Sequence, residues 1–388
     1  MHPPCTSPQT RPSAAASPAA TWGLPEADAG ARAAAAQASV QVRAPGRLHL
    51  GFLDPAGTLG RRFGSLGLVI DGFATTLTLA AAPQDCLSAG PQAEAADLDR
   101  IHHHLQCLRQ HSGCHQPLAL HLQRSLPAHT GLGSGTQLAL AVGRAFAQWH
   151  GLALSTLTLA QWLGRGQRSG IGIAGFDAGG LLLDGGPGAD GSPPPLLARL
   201  VLPPAWRVLV VQDNAQRGLS GGDEKRAIAR LAPLPQAQAA EICHQVLMQV
   251  LAGAAAADFA AFATGLNRVQ QILGAHFAPA QGGQACSSAA VGRLLQWIDQ
   301  QTGTPGGGND KQPLAATGQS SWGPTAFAIV PSADAANTLM AAALAAGIVA
   351  SQLSLRCVAA RNSGATVLDH RLDAAGLVAA PANPASHC

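Results

Sequence analysis

The sequence predicts an α+β protein built from two domains, and three observations support this. The chain has 388 residues, more than one ordinary domain needs. Hydrophobic residues make up 47% of it and charged residues 12%, which is enough apolar material for a large core. Strand-like and helix-like patterns follow one another from about residue 39 to about residue 370.

The first half begins with strands and continues with helices. Residues 1–38 are rich in Pro, Ala and Ser, which predicts a flexible tail. Residues 39–43 then alternate apolar and polar side chains, as a half-buried strand does. The remaining elements predicted in this half are strands at 48–52, 66–79, 117–123 and 181–186, and helices at 95–112, 136–149 and 156–163.

The second half repeats the mixture of strands and helices. Its predicted elements are strands at 208–211, 325–330 and 352–359, helices at 242–267 and 333–346, and a Gly/Pro-rich loop at 301–313. This order indicates an α+β sandwich. We therefore expect domains at 39–205 and 206–370, a C-terminal tail at 371–388, and an active site in the cleft between the domains.

Composition excludes several classes of function. The formal net charge is only +3, which argues against a dedicated nucleic-acid-binding protein. Eight scattered cysteines without a Cys-x-x-Cys pair indicate free thiols in a reducing compartment. No leader-like segment and no clean apolar run of about 18 residues is apparent. We expect a cytoplasmic enzyme with small-molecule substrates and no membrane or nucleic-acid partner, and a homodimer is left open.

A Gly-rich loop between a strand and a helix is the strongest chemical feature. Glycines let the backbone approach an anion closely, and a helix N-terminus presents free N–H groups to it. The alternative is an ordinary turn before a core helix. The predicted anion-binding residues are Gly131, Leu132, Gly133, Ser134, Gly135, Thr136 and Gln137.

This loop resembles the second motif of the GHMP kinases, Pro-x-x-x-Gly-Leu-Gly-Ser-Ser. Pro127 and the residues Gly131–Ser134 match it, and Gly135 stands where kinases usually have a second Ser. No Lys follows the glycines, so the loop is not a Walker A motif. Related first and third motifs occur at Ala44–Asp54 and Gly318–Thr325.

The departures from the kinase pattern resemble the β-ribofuranosylaminobenzene 5'-phosphate synthase family within the GHMP superfamily. They lie in His49–Phe52, Gly133–Thr136, Arg168–Gly180 and Gln319–Pro324. The resemblance runs from about residue 40 to about residue 370, and it implies a two-domain GHMP-kinase-like fold with a ferredoxin-like C-terminal domain. It also implies condensation of phosphoribosyl diphosphate with para-aminobenzoate or para-hydroxybenzoate, release of carbon dioxide and diphosphate, and a place in tetrahydromethanopterin biosynthesis.

The resemblance and the chemistry together suggest roles for particular residues. The leaving diphosphate needs neutralisation, for which Mg²⁺ is the expected cofactor, although its protein ligands are not apparent. A carboxylate can stabilise the developing oxocarbenium ion, and Arg or His can contact the benzoate carboxylate. The predicted catalytic residues are His49, Asp54, Arg168 and Asp177. The further predicted substrate-binding residues are Arg43, Arg47, Ser169, Ser220, Glu224, Gln319, Ser320, Ser321 and Trp322.

Structural alternatives exist for several of these residues. Asp177 can cap a turn, His49 can be an ordinary strand residue, and Trp322 can pack in the core. Ser220 and Glu224 can simply begin a helix. The His- and Cys-rich segment 102–115 invites comparison with a metal site, but a solvated helix face is the favoured interpretation.

Two other functions remain open at this level. One is an ATP-dependent small-molecule kinase of the GHMP type, and the other is a non-catalytic protein that binds a phosphorylated metabolite and regulates another process. The third motif lacks the run of glycines that a kinase of this superfamily carries, which favours the synthase.

Overall fold

The computed structural model describes residues 38–218, 221–303 and 312–371. The two predicted tails therefore lie almost entirely outside the described residues. Ser220 and the side chain of Glu224 also lie outside them, and so does most of the predicted loop at 301–313.

A mixed sheet forms the N-terminal half. The long strand β1, Val40–Asp54, pairs with β2, Phe63–Ala81, in antiparallel fashion, and register shifts interrupt the pairing after Pro45 and His49. The strand order is β13-β1-β2-β4-β3, and β5 joins β2 and carries β6. The remaining strands of this sheet are β3 (Cys86–Gln92), β4 (Leu118–Arg124), β5 (Leu181–Asp184), β6 (Leu196–Leu200) and β13 (Thr366–Asp369).

Helices cover this sheet on the side of the Gly-rich loop. Their bounds are α1 (Asp97–Ser112), α2 (Ser134–Trp149), α3 (Thr156–Trp162) and α4 (Ile171–Asp177). Apolar residues of α2 at helical spacing, Leu138, Val142 and Phe146, are buried together with Leu77 and Leu79 of β2. Burial of this face fixes α2, and therefore its N-terminus, on the sheet.

The C-terminal half is a four-stranded antiparallel sheet with helices. Its strands are β7 (Arg207–Asp213), β10 (Ala316–Gln319), β11 (Thr325–Val330) and β12 (Leu353–Ala359). The order β10-β11-β7-β12 is that of a ferredoxin-like domain, in which the first strand lies between the third and the fourth. This arrangement confirms the predicted two-domain α+β fold.

Between β7 and β10 the chain is mainly helical, apart from two short strands. The helices are α5 (Gly221–Arg230), α6 (Gln236–Gln245), a π-helix (Val246–Leu251), α7 (Ala252–Ala256), α8 (Phe259–Phe277), a 3₁₀ turn (Ala278–Gln281) and α9 (Ala289–Gln300). The strands are β8 (Thr302–Gly303) and β9 (Gln312–Pro313), and α10 (Ala333–Ala345) follows β11.

Most predicted elements are confirmed, with differences at helix breaks. The predicted helix at 242–267 is divided, because Ala257 adopts a left-handed conformation and Asp258 caps a new helix that begins at Phe259, its side chain accepting from the N–H of Ala261. The predicted strands at 39–43 and 48–52 are one continuous strand. The elements β3, α4, β6, α9 and β13 were not predicted, and β3 escaped because it is a largely exposed edge strand without clear alternation.

One helical segment, Gln236–Ala256, is long and apolar enough by length and composition to cross a membrane. Its residues Ala239, Ile242, Val246 and Val250 are buried in the core that joins both halves. A core helix of a globular protein can have the same length and composition, so this segment carries little weight as a membrane span.

The two halves share one hydrophobic core at the second part of β1. Leu48 and Leu50 of β1 are fully buried in the same cluster as Phe262, Leu266 and Val269 of α8. The first predicted motif therefore lies where the N-terminal sheet meets the C-terminal helices, which is where the sequence placed the cleft.

Candidate active site

The Gly-rich loop has the backbone geometry of an anion-binding turn. Gly131 and Gly133 have φ angles of 92° and 82°, a region that L-residues rarely adopt. Gly133 is the N-cap of α2, and its carbonyl accepts hydrogen bonds from the N–H groups of Thr136 and Gln137. The first turn of α2 contains no acidic residue. This helix end therefore offers backbone N–H groups and the positive end of the helix dipole.

Arg47 ties the first motif to this loop. Its Nη1 donates to the carbonyl of Gly131 at 2.8 Å, and its backbone N–H donates to the carbonyl of Leu132 at 3.1 Å. The guanidinium lies so close to Gly133 that a Cβ on that residue would come within 3.1 Å of the Arg47 Cζ. The positive charge of Arg47 is thus held beside the start of α2.

Ser320 joins the third motif to both other segments. Its fully buried hydroxyl donates to the carbonyl of Gly131 at 2.8 Å and accepts from the backbone N–H of His49 at 2.9 Å. A Cβ on Gly131 would lie only 2.4 Å from the Ser320 carbonyl oxygen. Ser321, which has a φ of 55°, donates its N–H to the carbonyl of His49. The three motifs form one hydrogen-bonded unit.

His49 lies at the centre of this unit. It is 4% exposed, and its Nε2 atom has no hydrogen-bond partner among the residues that the structure describes. Burial, and then the charges of Arg47 and Arg168, lower its pKa from 6.5 to about 3. The imidazole is therefore neutral at physiological pH, so it can exchange hydrogen bonds with a ligand but does not act as a cationic acid.

A cavity of about 810 Å³ opens beside His49, between α8, α9 and β10. Amide side chains dominate its polar lining, and several of them bond one another. Gln270 donates to the carbonyl of Leu50 at 2.5 Å and accepts from the N–H of Gln319 at 3.0 Å. The ring of Trp322, which is 4% exposed, packs edge-on against Phe277 at 4.8 Å. The cavity thus combines aromatic side chains with mainly uncharged polar groups, and Arg293 and Asp299 are charged side chains in its lining.

The predicted carboxylates Asp54 and Asp177 are not brought together. Asp54 is buried and accepts hydrogen bonds from the N–H groups of Gly57 and Leu59, so it organises the turn after β1. Asp177 is exposed at the C-terminal end of α4 and accepts from the Thr156 hydroxyl. The start of α4 faces the Gly-rich loop, and the helix places Asp177 about 9 Å further along its axis.

The start of α4 is fixed against the start of α2. Gln137 donates to the carbonyl of Gly172 at 2.9 Å. The buried Asp184 accepts from the hydroxyl of Ser169 and the N–H of Gly170, and burial raises its pKa. Arg168 precedes this helix, and its charge reaches His49. Asp184 was not predicted, because it follows an apolar strand and no motif marks it.

The other predicted residues lie at varying distances from this centre. Arg43 is near the beginning of β1, where it pairs with Thr76 and Thr366, about 13 Å of strand away from Arg47. Ser134 is the first residue of α2, and its hydroxyl makes no hydrogen bond within the described ranges. Gln319 donates to Gln281 and to the carbonyl of Ser321, both at 2.8 Å, so it braces the third motif.

Arg165 is a basic residue that the sequence interpretation missed. It lies between α3 and α4, and a Cβ on Gly135 would lie 3.5 Å from its Nη1 atom. The available signal was the spacing in Gly-Arg-Gly-Gln-Arg, which places a second Arg three residues before Arg168 and near the start of a helix.

Among residues 38–218, 221–303 and 312–371, no group of three His, Cys, Asp or Glu side chains could hold a metal ion. The described residues therefore do not form a protein cage for Mg²⁺. Mg²⁺ commonly binds through substrate phosphates with few protein ligands. The side chains of the described residues are compatible with that kind of binding.

Comparison with known sequences identifies relatives of one kind. The family described as GHMP kinases N terminal domain matches residues 99–180. A β-ribofuranosylphenol 5'-phosphate synthase of Archaeoglobus fulgidus is 32% identical over 245 residues, which cover 60% of this chain and 76% of the relative. The synthase of the same name from Methanothermobacter thermautotrophicus is 30% identical over 245 residues, or 59% of this chain and 74% of the relative.

Solved structures of low sequence identity share the fold. Mevalonate diphosphate decarboxylase from Staphylococcus aureus has a TM-score of 0.59 at 13% identity, with 85% of this chain and 98% of that chain covered. Homoserine kinase from Cytophaga hutchinsonii has a TM-score of 0.55 at 16% identity, with 85% and 97% covered. At such identities the likeness establishes a GHMP-kinase fold and nothing finer about the chemistry.

Proposed function

Because the chain belongs to the β-ribofuranosylphenol 5'-phosphate synthase family, we propose that it condenses phosphoribosyl diphosphate with a para-substituted benzoate and releases carbon dioxide and diphosphate. The chain is an enzyme of the GHMP superfamily. We further propose that it works in the cytoplasm, in the biosynthesis of tetrahydromethanopterin.

One observation carries this proposal. The Ser320 hydroxyl bonds both Gly131 of the Gly-rich loop and His49 beside the cavity, which brings a cationic helix N-terminus next to a chamber that contains aromatic rings and mainly uncharged polar groups. A reaction between a polyanionic sugar and an aromatic ring needs both environments next to each other.

The proposed reaction is a substitution on the ring carbon that carries the carboxylate. The bond between the anomeric carbon and the diphosphate oxygen breaks, and diphosphate leaves with that electron pair. A pair of ring electrons forms the new carbon–carbon bond at the anomeric carbon. The bond from the ring to the carboxylate then breaks, its electrons restore the aromatic ring, and carbon dioxide leaves as a neutral molecule.

The loop side is assigned to the leaving group. The N–H groups at the start of α2 and the Arg47 guanidinium stabilise the negative charge that develops on diphosphate. Mg²⁺, if the substrate brings it bound to the phosphates, supplies further neutralisation of that charge. The positive charge of Arg168 helps to lower the pKa of His49, and we assign to Arg168 the first contact with the benzoate carboxylate.

The cavity side is assigned to the aromatic acceptor. Trp322 and Phe277 offer ring faces and edges, and His49 is a neutral hydrogen-bonding group in the lining of the cavity. The names of the relatives specify a phenol product, which corresponds to para-hydroxybenzoate. Para-aminobenzoate would give the aminobenzene, and we propose both as candidate acceptors.

Release of carbon dioxide tests the proposal. Purified full-length protein is incubated with carboxyl-labelled para-hydroxybenzoate or para-aminobenzoate, with and without phosphoribosyl diphosphate and Mg²⁺. We expect labelled carbon dioxide only when phosphoribosyl diphosphate is present. ATP-dependent phosphorylation of an alcohol without decarboxylation would instead identify a kinase. Binding of the sugar phosphate without turnover would identify a regulatory protein.

A further inference from the structure

A second positive centre lies at the start of α2, on the side of Gly135. A Cβ atom on Gly133 would point toward the Arg47 guanidinium, whereas a Cβ atom on Gly135 would point toward the Arg165 guanidinium. Two guanidinium groups therefore flank the same helix N-terminus. Arg47 contributes to the unit of the three motifs through Gly131, whereas the Arg165 guanidinium makes no hydrogen bond or ion pair to the described residues and only its backbone N–H bonds the carbonyl of Ala160.

The surroundings of Arg165 do not compensate its charge. Its Nε atom is buried without a hydrogen-bond partner within the described chain. The nearby Arg100 forms an ion pair with Asp97 and adds a further positive charge. Burial and the charge of Arg100 lower the pKa of Arg165, as expected for a guanidinium that lacks a counter-ion.

A buried histidine next to Arg165 is likewise unsatisfied. His104 is 3% exposed, and both of its ring nitrogens are buried without hydrogen-bond partners in the part of the chain that the structure describes. Burial and then the charge of Arg165 lower its pKa to about 3, so the ring is neutral. A buried imidazole that makes no hydrogen bond is costly unless a ligand or ordered water completes it.

We infer that Arg165 forms a second phosphate-binding subsite, which takes the 5'-phosphate of the phosphoribosyl substrate. This inference rests on the proposed function. The diphosphate must lie next to the reacting anomeric carbon, and therefore beside His49, Arg47 and the cavity for the acceptor. The phosphate monoester at the other end of the ribose is then directed past the start of α2 toward Arg165.

Binding of the two separate halves of the substrate tests this assignment. Ribose 5-phosphate and inorganic diphosphate are each titrated calorimetrically, with Mg²⁺, into the full-length parent protein and the Arg165→Gln variant. We expect the Kd of ribose 5-phosphate to rise about 10- to 100-fold, which is the effect of losing a charge-assisted hydrogen bond to phosphate. The Kd of diphosphate should change less than about threefold.

Two further variants serve as controls. Arg165→Lys keeps the charge and loses the planar fork, so its Kd for ribose 5-phosphate should lie between those of the parent and Arg165→Gln. It also tests the assignment if Arg165→Gln does not fold. Arg230→Gln removes an exposed positive charge from α5 and should leave both Kd values unchanged.

Each other outcome contradicts a distinct statement. If parent and both Arg165 variants bind ribose 5-phosphate equally, the subsite is wrong and the synthase proposal stands. If Arg165→Gln weakens the binding of diphosphate and not that of ribose 5-phosphate, the placement of the 5'-phosphate at Arg165 and of the diphosphate at Arg47 is wrong. A parent protein that binds neither probe and releases no carbon dioxide would overturn the proposed function and this inference with it.

Discussion

The two sides of the candidate active site differ in charge and in rigidity. The side of α2 is made of glycine backbone and Arg side chains, and hydrogen bonds from Arg47 and Ser320 hold it in place. The side of α8 and α9 is a roomy cavity lined mainly by uncharged amides and by aromatic rings, with Arg293 and Asp299 as charged residues in the lining. A fixed cationic loop suits a leaving group whose charge grows in the transition state, whereas a chamber with mainly uncharged walls suits a ring that loses its own charged carboxylate.

The contact between these sides is as informative as their difference. Gln270 of α8 bonds the backbone of β1 and of β10, and Ser320 bonds the loop and β1. Both side chains cross from one half of the molecule to the other. The geometry of the charged side is therefore set by residues that belong to the neutral side.

The largest effect is expected from Gly133→Val, which should break the charged side. The substitution places a branched side chain at a φ of 82° and against the Arg47 guanidinium at about 3 Å. We expect the carbon dioxide-releasing activity to fall by at least about 1,000-fold, as when positioning and charge stabilisation are lost together. Steady-state assays of the folded variant measure this.

Gly151→Val is the matched control for backbone strain. Gly151 follows the other end of the same helix, has a φ of 64°, and has open space where a Cβ would lie. The Gly151→Val substitution should lower the unfolding free energy by about 1–2 kcal/mol and should change the activity little. Equal losses of activity in both variants would mean that Gly133 is only a turn residue.

Ser320→Ala should weaken the link between the two sides by a smaller factor. It removes the hydroxyl that donates to Gly131 and accepts from the N–H of His49, both in a buried place. We expect kcat to fall about 10- to 100-fold, because each lost partner costs about 1–3 kcal/mol when buried. Ser332→Ala, which removes the N-cap of α10, should lower stability by about 1 kcal/mol and leave kcat unchanged.

The sequence predicted the charged side better than the neutral side. Glycines and arginines with fixed spacing reveal a loop whose backbone must turn sharply, so Arg47, Gly131 and Gly133 could be chosen before the structure was known. The cavity is formed by separate helices, and Gln270 has no local pattern that marks its bonds to Leu50 and Gln319. Long-range contacts of this kind depend on how α8 packs, which periodicity alone does not specify.

His49, which lies between the two sides, should contribute to stability in a pH-dependent manner. Its folded pKa of about 3 lies below the ordinary 6.5, so between these values the unfolded chain binds a proton that the folded chain does not. Its contribution is therefore complete above about pH 6.5 and decreases as the pH falls toward 3. The slope for one such group is about 1.4 kcal/mol per pH unit.

Urea unfolding of the parent and of His49→Gln at pH 5, 6 and 7 measures this slope. The unfolding free energy of the parent minus that of His49→Gln should decrease as the pH falls from 6 to 5, because only the parent loses the His49 contribution. A difference that stays constant would show that His49 does not resist protonation in the folded state. Because His49 stays neutral in the folded protein near pH 6.5, the kcat–pH profiles of the parent and of His49→Gln should not differ by a step near that pH.

The smallest effect is expected at Asp177, and it separates the two ends of α4. Asp177 is exposed and bonds Thr156, whereas Asp184 is buried and holds Ser169 and Gly170 at the helix start that faces the anion loop. Asp177→Asn should therefore change kcat/KM less than about threefold, since surface pairs contribute little. Asp184→Asn should lower it about tenfold or more, because the amide oxygen can keep the bonds from Ser169 and Gly170 but the amide NH₂ cannot accept the Gly186 N–H that now donates to the other carboxylate oxygen. If the larger loss belongs to Asp177→Asn, a carboxylate at the far end of α4 reaches the substrate, and the ribose must lie nearer to α3 than the positions of Arg47 and Arg165 indicate.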